Sequence, residues 1–504
     1  MIEKGVLEQT LKNDIHDLGL VIDAGTPIIV IESYDELRVL EMMTRLAMNR
    51  GLVLFTWSVT EGLNRLGFGH GSDNEAITEP DDVLAHIKKE TVPSLFVLCD
   101  FHPFLQPNEH RNIRLLKDIA LQHSQLRHTV VLLSHALDLP PELKRLGAHF
   151  ELSLPTDEQL LAMVREEANN WSKKNLGRRV KTDSKTLDKL VSNLRGLSLN
   201  EARQLTRGAI FDDGAITVDD LPEVNKAKFS LMDMEGVLSF EYETAHFSEV
   251  GGLSAFKAWL SQRRTAFLQP SEQQDIPKGV MLLGVQGGGK SLAAKAVAGM
   301  WGIPLLKMDF GALYNKYIGE TERNIREALK LADVMSPCVL WMDEIEKGIA
   351  VGRSDDGTSK RILGTLLTWM AERKKAVFVV ATSNDITQLP PELIRKGRLD
   401  EIFFVDLPDA EVRREIFGIH FNKRSIESES YDLDTLVELT NGFSGSEIEQ
   451  VIVGALYSAK ASDELLQQSH LEKNIQSTSP LSVVMAEDIA MLRNWAESRT
   501  VQAQ

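Results

Sequence analysis

Residues Gly279–Ser291 read GVMLLGVQGGGKS. The first half is a short apolar run ending in glycine, the pattern of a buried parallel strand that opens into a loop. From Gly284 onward the stretch fits G-x-x-x-x-G-K-S in full: Gly284, then Val285, Gln286, Gly287 and Gly288, then Gly289, Lys290 and Ser291. Glycines there let backbone N–H groups curl around phosphate oxygens without side-chain interference. Lys290 can reach the β- and γ-phosphates, and the Ser291 hydroxyl can ligate Mg²⁺. A helix starting at Ser291–Leu292 aims its positive end at that charge. Strand, glycine-rich loop and helix in succession are the context the motif requires, so this segment is expected to bind ATP with Mg²⁺.

Working outward, the apolar runs IPLLKMDF (303–310), CVLWMDE (338–344), AVFVVATSN (376–384) and IFFVDLP (402–408) alternate with helical patterns such as KSLAAKAVAGM and GETERNIREALKLADVM. This alternation predicts an α/β domain with a parallel sheet covered on both faces. Asp343 ends one strand and can orient the metal and its water, while Glu344 beside it can polarise the attacking water. Asn384, at the end of another, can help place that water or cap the next helix. Arg395 and Arg398, in IRKGR, fall at an expected domain edge, where an arginine reaches a neighbour's γ-phosphate better than its own; solvated surface arginines are the plainer reading. Beyond 409 the chain turns helical.

In order, FSEVGGL (247–253), the glycine loop, YIGETERNIREAL, MDEIEK, ATSN, LIRKGRLDE and GFSGSEIE make residues 245–495 resemble AAA ATPases. The whole chain, with CDFHPFL and LPPEL in its first half, is similar to the AAA proteins of chloroplasts and cyanobacteria encoded by a plastid hypothetical reading frame. The resemblance implies Gly251, Gly252, His420 and Gly445 around adenine and Arg395 and Arg398 as an arginine-finger pair. It implies Tyr317, Ile318 and Gly319 as a loop gripping a protein client in the pore of a six-subunit ring. Two positions depart from the family pattern. Gln286-Gly287-Gly288 stands where most members have Pro-Gly-Thr, and Ser446 stands where the lid usually has Ala. Neither change removes a catalytic group, so both bear on nucleotide affinity.

The first half repeats the order. PIIVIES (27–33), LVLFTWSV (52–59), SLFVLCDF (94–101), TVVLLSHA (129–136) and FELSLPTDEQL (150–160) are expected strands, and LVSNLRGLSLNEARQLTRGA (190–209) shadows LVELTNGFSGSEIEQVIVGA (436–455). LPPEL recurs at 139 and 389. Yet IIVIE is followed by SYDELRVLE, without loop glycines or lysine; Asp100 is followed by Phe101 where the second half has Glu344; and Arg145 is kept while Ala148 stands in place of Arg398. The expectation is two tandem AAA-like modules, the first degenerate: an α/β domain over 1–155 with a helical lid over 156–222, a linker over 223–245, an ATPase core over 246–409 and a second lid over 410–504.

The formal net charge of −17 argues against nucleic acid as the partner, as does the lack of an interleaved basic and aromatic stripe. Cys99 and Cys338, each inside an apolar run, read as reduced buried thiols. There is no H-E-x-x-H and no apolar run of membrane-spanning length. The N-terminus carries no signal-peptide pattern, so a cytoplasmic setting, or the stroma for a plastid-encoded chain, is expected. The expected function is an ATPase ring remodelling or threading a protein; the alternative is an ATP-dependent assembly switch without threading.

Overall fold

The computed structural model describes residues 2–66, 77–211, 213–231, 237–241, 247–269, 275–313, 320–349, 356–395 and 397–504. They form two compact units, one of residues 1–181 and 194–215, the other of residues 182–193 and 216–504.

The first unit is built on β1 (Ile28–Glu32), β2 (Val53–Ser58), β3 (Gly62–Arg65), β4 (Ser94–Cys99), β5 (Thr129–Ser134) and β6 (Gly147–Phe150), in the order β3-β2-β4-β5-β1-β6. All pairings are parallel except β2 with β3. β4 and β5 are buried throughout, so both read as continuous apolar runs rather than alternating ones. Their period of two still sorts the side chains: Phe96, Leu98, Val130 and Leu132 enter one core, and Leu95, Val97, Val131 and Leu133 enter another on the opposite face. The last strand is displaced from the expected run at 150–160. β6 takes Gly147–Phe150, where four backbone positions pair with β1, and Thr156 then opens the helix Asp157–Lys174 with a capping box to Gln159.

The second unit carries β7 (Leu238–Glu241), β8 (Gly279–Gly284), β9 (Leu305–Met308), β10 (Cys338–Met342), β11 (Val377–Ser383), β12 (Glu401–Val405) and β13 (Val501–Gln502), in the order β13-β12-β8-β11-β10-β9-β7. Only β7 pairs antiparallel. Met281, Leu283, Leu340 and Val379 face one core and Val280, Leu282, Val339 and Val380 the other. The expected linker over 223–245 is in part regular structure: the helix Asp220–Leu231 and the edge strand β7 occupy much of it. Residues 410–504 are likewise not all lid. Leu492 and Ala496 of the helix Ala486–Ala496 pack into the sheet core, β13 pairs with β12, and Ala503 is fully buried.

Cys99 and Cys338 are free and buried, and burial pushes both thiols up to about 12. Among the described residues no helix is long and apolar enough to cross a membrane.

Candidate nucleotide site

β8 lies between β11 and β12 and delivers the glycine loop at its carboxyl end. A side chain at Gly284 would put Cβ 2.0 Å from the Val405 carbonyl oxygen, so only glycine lets β12 approach there. Gly289, at φ 89, turns the loop into the helix Lys290–Trp301 in a backbone conformation that other residues rarely adopt. Lys290 is nearly fully buried and its Nζ donates to the carbonyls of Gly284 (2.8 Å) and Val285 (2.7 Å). Burial pulls this ammonium down to about 8, against the opposing pull of Glu346, Asp343 and Glu344.

The carboxylates converge because β10 and β11 run side by side in fixed register. Thr382 Oγ1 donates to Asp343 Oδ1 at 2.7 Å and accepts the Glu344 N–H at 3.0 Å. Ser291 Oγ donates to the same Asp343 oxygen at 3.4 Å, and Lys307 Nζ stands 3.7 Å from the other. Glu344 itself sits at φ 46, a left-handed backbone that costs a non-glycine residue roughly 1–3 kcal/mol. Its Oε1 accepts from Asn384 Nδ2 at 3.1 Å and its Oε2 from Lys347 Nζ at 2.5 Å. The buried Glu346 accepts the Asn384 N–H at 3.0 Å.

These groups face a cavity of about 890 Å³. Its far wall is apolar, with Val250, Val412, Ile416 and Ile419, and Gly251 packs so closely on Ile416 that a Cβ would lie 2.8 Å away. Gln286, Gly287, Gly288, Leu292, His420 and Gly445 also line it, with Ser446, Glu449 and Lys423. Burial holds His420 below the usual imidazole range, against the pull of Glu449, whose Oε1 lies 3.4 Å from its Nδ1. The lid helix Gly445–Ala461 is fixed by a capping box between Ser444 and Glu447, and Ser446 bonds back to the Gly287 carbonyl.

Of the other expected residues, Gly284 forms the strand end behind the loop, and Gly252 lies beside the cavity with its N–H on Glu415 Oε2 at 2.8 Å. Arg395 and Arg398 lie outside the lining: Arg395 is exposed after the turn Pro391–Ile394, and Arg398 donates to the Glu392 carbonyl. Tyr317, Ile318 and Gly319 fall outside the described residues. Thr382, Lys347, Glu346 and Lys307 have no sequence signal of their own. The position of Thr382, opposite the strand that carries Asp343, is the one cue that would have found it.

The family "ATPase family associated with various cellular activities (AAA)" matches residues 280–407, which span the loop, both acidic strand-end residues and the arginines. "SpoVK-like AAA ATPase, N-terminal domain" matches 14–152, and the second domain of the same group matches 158–235. The "Uncharacterized AAA domain-containing protein ycf46" of Guillardia theta is 36% identical over 501 residues, 97% of this chain and 96% of that one. That of Pyropia yezoensis is 33% identical over 494 residues, 96% of this chain and 98% of that one. The chain belongs to the ycf46 family of AAA ATPases. A proteasome-activating nucleotidase of Aeropyrum pernix is 36% identical over 274 residues, about half of this chain and 65% of its own.

As an AAA ATPase of the ycf46 family the chain binds nucleotide and hydrolyses ATP. The residues present fit that ligand with its metal. A buried ammonium held, among the described residues, by the carbonyls of Gly284 and Val285 can turn to a phosphate. A hydroxyl and a carboxylate within 3.4 Å are hard oxygen donors, and the apolar wall suits a purine. Ser291 and Asp343 would hold Mg²⁺ there, which would supply positive charge against that of the phosphates. Glu344 can accept a proton from water, Asn384 fixes the direction of that carboxylate, and Thr382 fixes both acidic residues to β11.

Proposed function

We propose that this ATPase is a Mg²⁺-dependent oligomer, a ring of six, that remodels or threads a protein client. One observation carries the reading: among the described residues, the cavity that gathers Lys290, Asp343, Glu344 and Asn384 has no arginine in its lining, while Arg395 and Arg398 lie outside it. A γ-phosphate at Lys290 therefore finds no arginine of its own in that lining, and a neighbour's Arg395–Arg398 edge supplies one. Lys290 holds the phosphates, Ser291 and Asp343 hold the metal, and Glu344 activates water with Asn384. Gly251, Gly252, His420 and Gly445 surround the base. Tyr317, Ile318 and Gly319 grip the client. The relatives' name "proteasome-activating nucleotidase" supports a protein as the client.

The first unit is read as a degenerate copy of the second, retained for assembly or for recognising the client. Its strand order β6-β1-β5-β4-β2 matches β12-β8-β11-β10-β9 term for term, with an antiparallel strand added at the same edge. In both, a carboxylate one residue past a strand accepts from a hydroxyl on the neighbouring strand: Asp100 from Ser134, Asp343 from Thr382. Ser198 and Glu201 repeat the capping pair of Ser444 and Glu447. Phe101, in the place of Glu344, is buried against Trp57. The domains are then 1–155, 156–222, 246–409 and 410–504, and the setting is the cytoplasm, or the stroma in a plastid.

The test is the mass in solution of Glu344→Gln with and without ATP and Mg²⁺. Assembly to about six subunits with nucleotide supports the ring; a persistent monomer rejects it. Tyr317→Ala then decides between threading, which it abolishes with ATPase retained, and the alternative of an assembly switch, which it spares.

A further inference from the structure

The carboxyl edge of the first unit's sheet is not blank. Asp100, His102 and His135 each offer one ligand atom there, and these atoms all lie within 4.8 Å of one another. The three reach one point because β4 and β5 are paired in register, so that Cys99 stands opposite Leu133 and the residues just beyond both strands emerge together. The chain is held tightly around them. Asp100 is in the left-handed backbone region at φ 51, an uncommon conformation for a residue other than glycine, found often where function demands it. Phe101 then turns inward and is fully buried against Trp57 and Phe104, which brings His102 back out at the start of the short turn His102–Leu105.

Around the three residues lies a second layer. The buried Ser134 hydroxyl bonds His102 Nδ1 at 2.5 Å and is 3.5 Å from Asp100 Oδ1, fixing ring and carboxylate together. The ring of His135 meets that of His102 edge-on at 4.8 Å and is stacked by Tyr34 on its other side. Two imidazoles and a carboxylate, oriented by a hydroxyl, form the donor set of a late first-row divalent cation. With bonds of about 2.0–2.2 Å, only small side-chain rotations close the cluster on an ion. Asp100 and His135 are exposed, which gives an ion a path and leaves its remaining positions to water or to a partner's side chain.

We propose that Asp100, His102 and His135 form a zinc-class metal site in the first unit, at the sheet edge where the second unit carries Asp343 and Thr382. No thiol takes part, since Cys99 is buried inside β4.

The full chain, stripped with a chelator and dialysed, is titrated with Zn²⁺ against a chromophoric competitor in excess Mg²⁺, which occupies oxygen-only sites. One equivalent is expected to bind. His135→Ala and His102→Ala are each expected to lower the affinity by at least the 10–100-fold that losing an orienting partner costs, and Ser134→Ala by about that factor. Co²⁺ in the same site is expected to give d–d bands without thiolate charge transfer. His135→Gln, on an exposed side chain, serves if the alanine variants fold poorly. Absence of binding to the stripped chain, or an equivalent of Zn²⁺ bound unchanged by His102→Ala, His135→Ala and His135→Gln, overturns the site.

Discussion

Asn384 donates its side-chain amide to Glu344 Oε1 at 3.1 Å, so the residue at the end of one strand aims the carboxylate at the end of the next. The other oxygen, Oε2, is held by Lys347 at 2.5 Å, an exposed ammonium one helical turn away. If Glu344 is the base proposed above, a water at Oε2 competes with that ammonium. A solvent-exposed pair of this kind is weak, so Lys347→Met is expected to raise basal ATP turnover only a few-fold. Steady-state phosphate release measures it, and turnover at or below the wild-type rate refutes the resting pair.

Lys290 gives the site a pH dependence. Its ammonium is drawn from 10.5 to about 8 by burial. Phosphate favours the protonated form, so nucleotide affinity is expected to be flat below about pH 8 and to fall by up to tenfold per pH unit above it. The sign for stability is opposite. The empty folded chain holds this proton less tightly than the unfolded chain, so Lys290 costs stability as pH falls from 10.5 toward 8, with the full cost in place below about 8. Lys290→Met is therefore expected to lose nucleotide binding while melting no lower than wild type without nucleotide at pH 7. A lower Tm, or an affinity that rises above pH 8, contradicts the assignment.

Thr382 is buried, and one hydroxyl serves both acidic residues. In Thr382→Val the Glu344 N–H and Asp343 Oδ1 lose that partner, at about 1–3 kcal/mol for a group left unsatisfied. Chemical denaturation is expected to show that loss, and the Mg²⁺ concentration for half-maximal ATPase is expected to rise. Thr382→Ser keeps the hydroxyl and is expected to restore both. Equal behaviour of the Val and Ser variants would show that the hydroxyl has no such part.

The arginines are tested by mixing. Arg395→Ala alone is expected to lose on the order of 10³–10⁵ in kcat, the value of an arginine finger. Combined with Lys290→Ala subunits, which still present an intact Arg395, it is expected to regain activity in mixed assemblies. Mixtures as inactive as either parent exclude action across a boundary.

The nucleotide loop, Asp343, Glu344 and Asn384 were legible because each is tied to a local signal: glycine spacing, or a polar residue closing an apolar run. Most of the parallel strands of both units followed from the same alternation of runs, whereas the edge strands β3, β7 and β13 did not. What escaped was non-local. Thr382 and Lys347 look like ordinary residues until sheet register and a helical turn bring them to the carboxylates. The cluster at Asp100 escaped for the same reason, its histidines being 33 positions apart by number on two neighbouring strand ends. Segment 223–245 was misread as linker because its acidic and turn residues hide an edge strand whose stability comes from pairing with β9 rather than from its own sequence.

Lys228 is buried with its ammonium on the carbonyls of Asn193 and Val334, and those two residues come from opposite sides of residue 216. Residues 182–193 belong with the ATPase unit, whereas 194–215, which follow them, belong with the first. The two units are thus dovetailed in sequence, and no single crossover point in the gene separates them. Recombination that exchanged one half would remove either the Asn193 carbonyl from Lys228 or a helix from the first unit, leaving a buried charge with a partner missing.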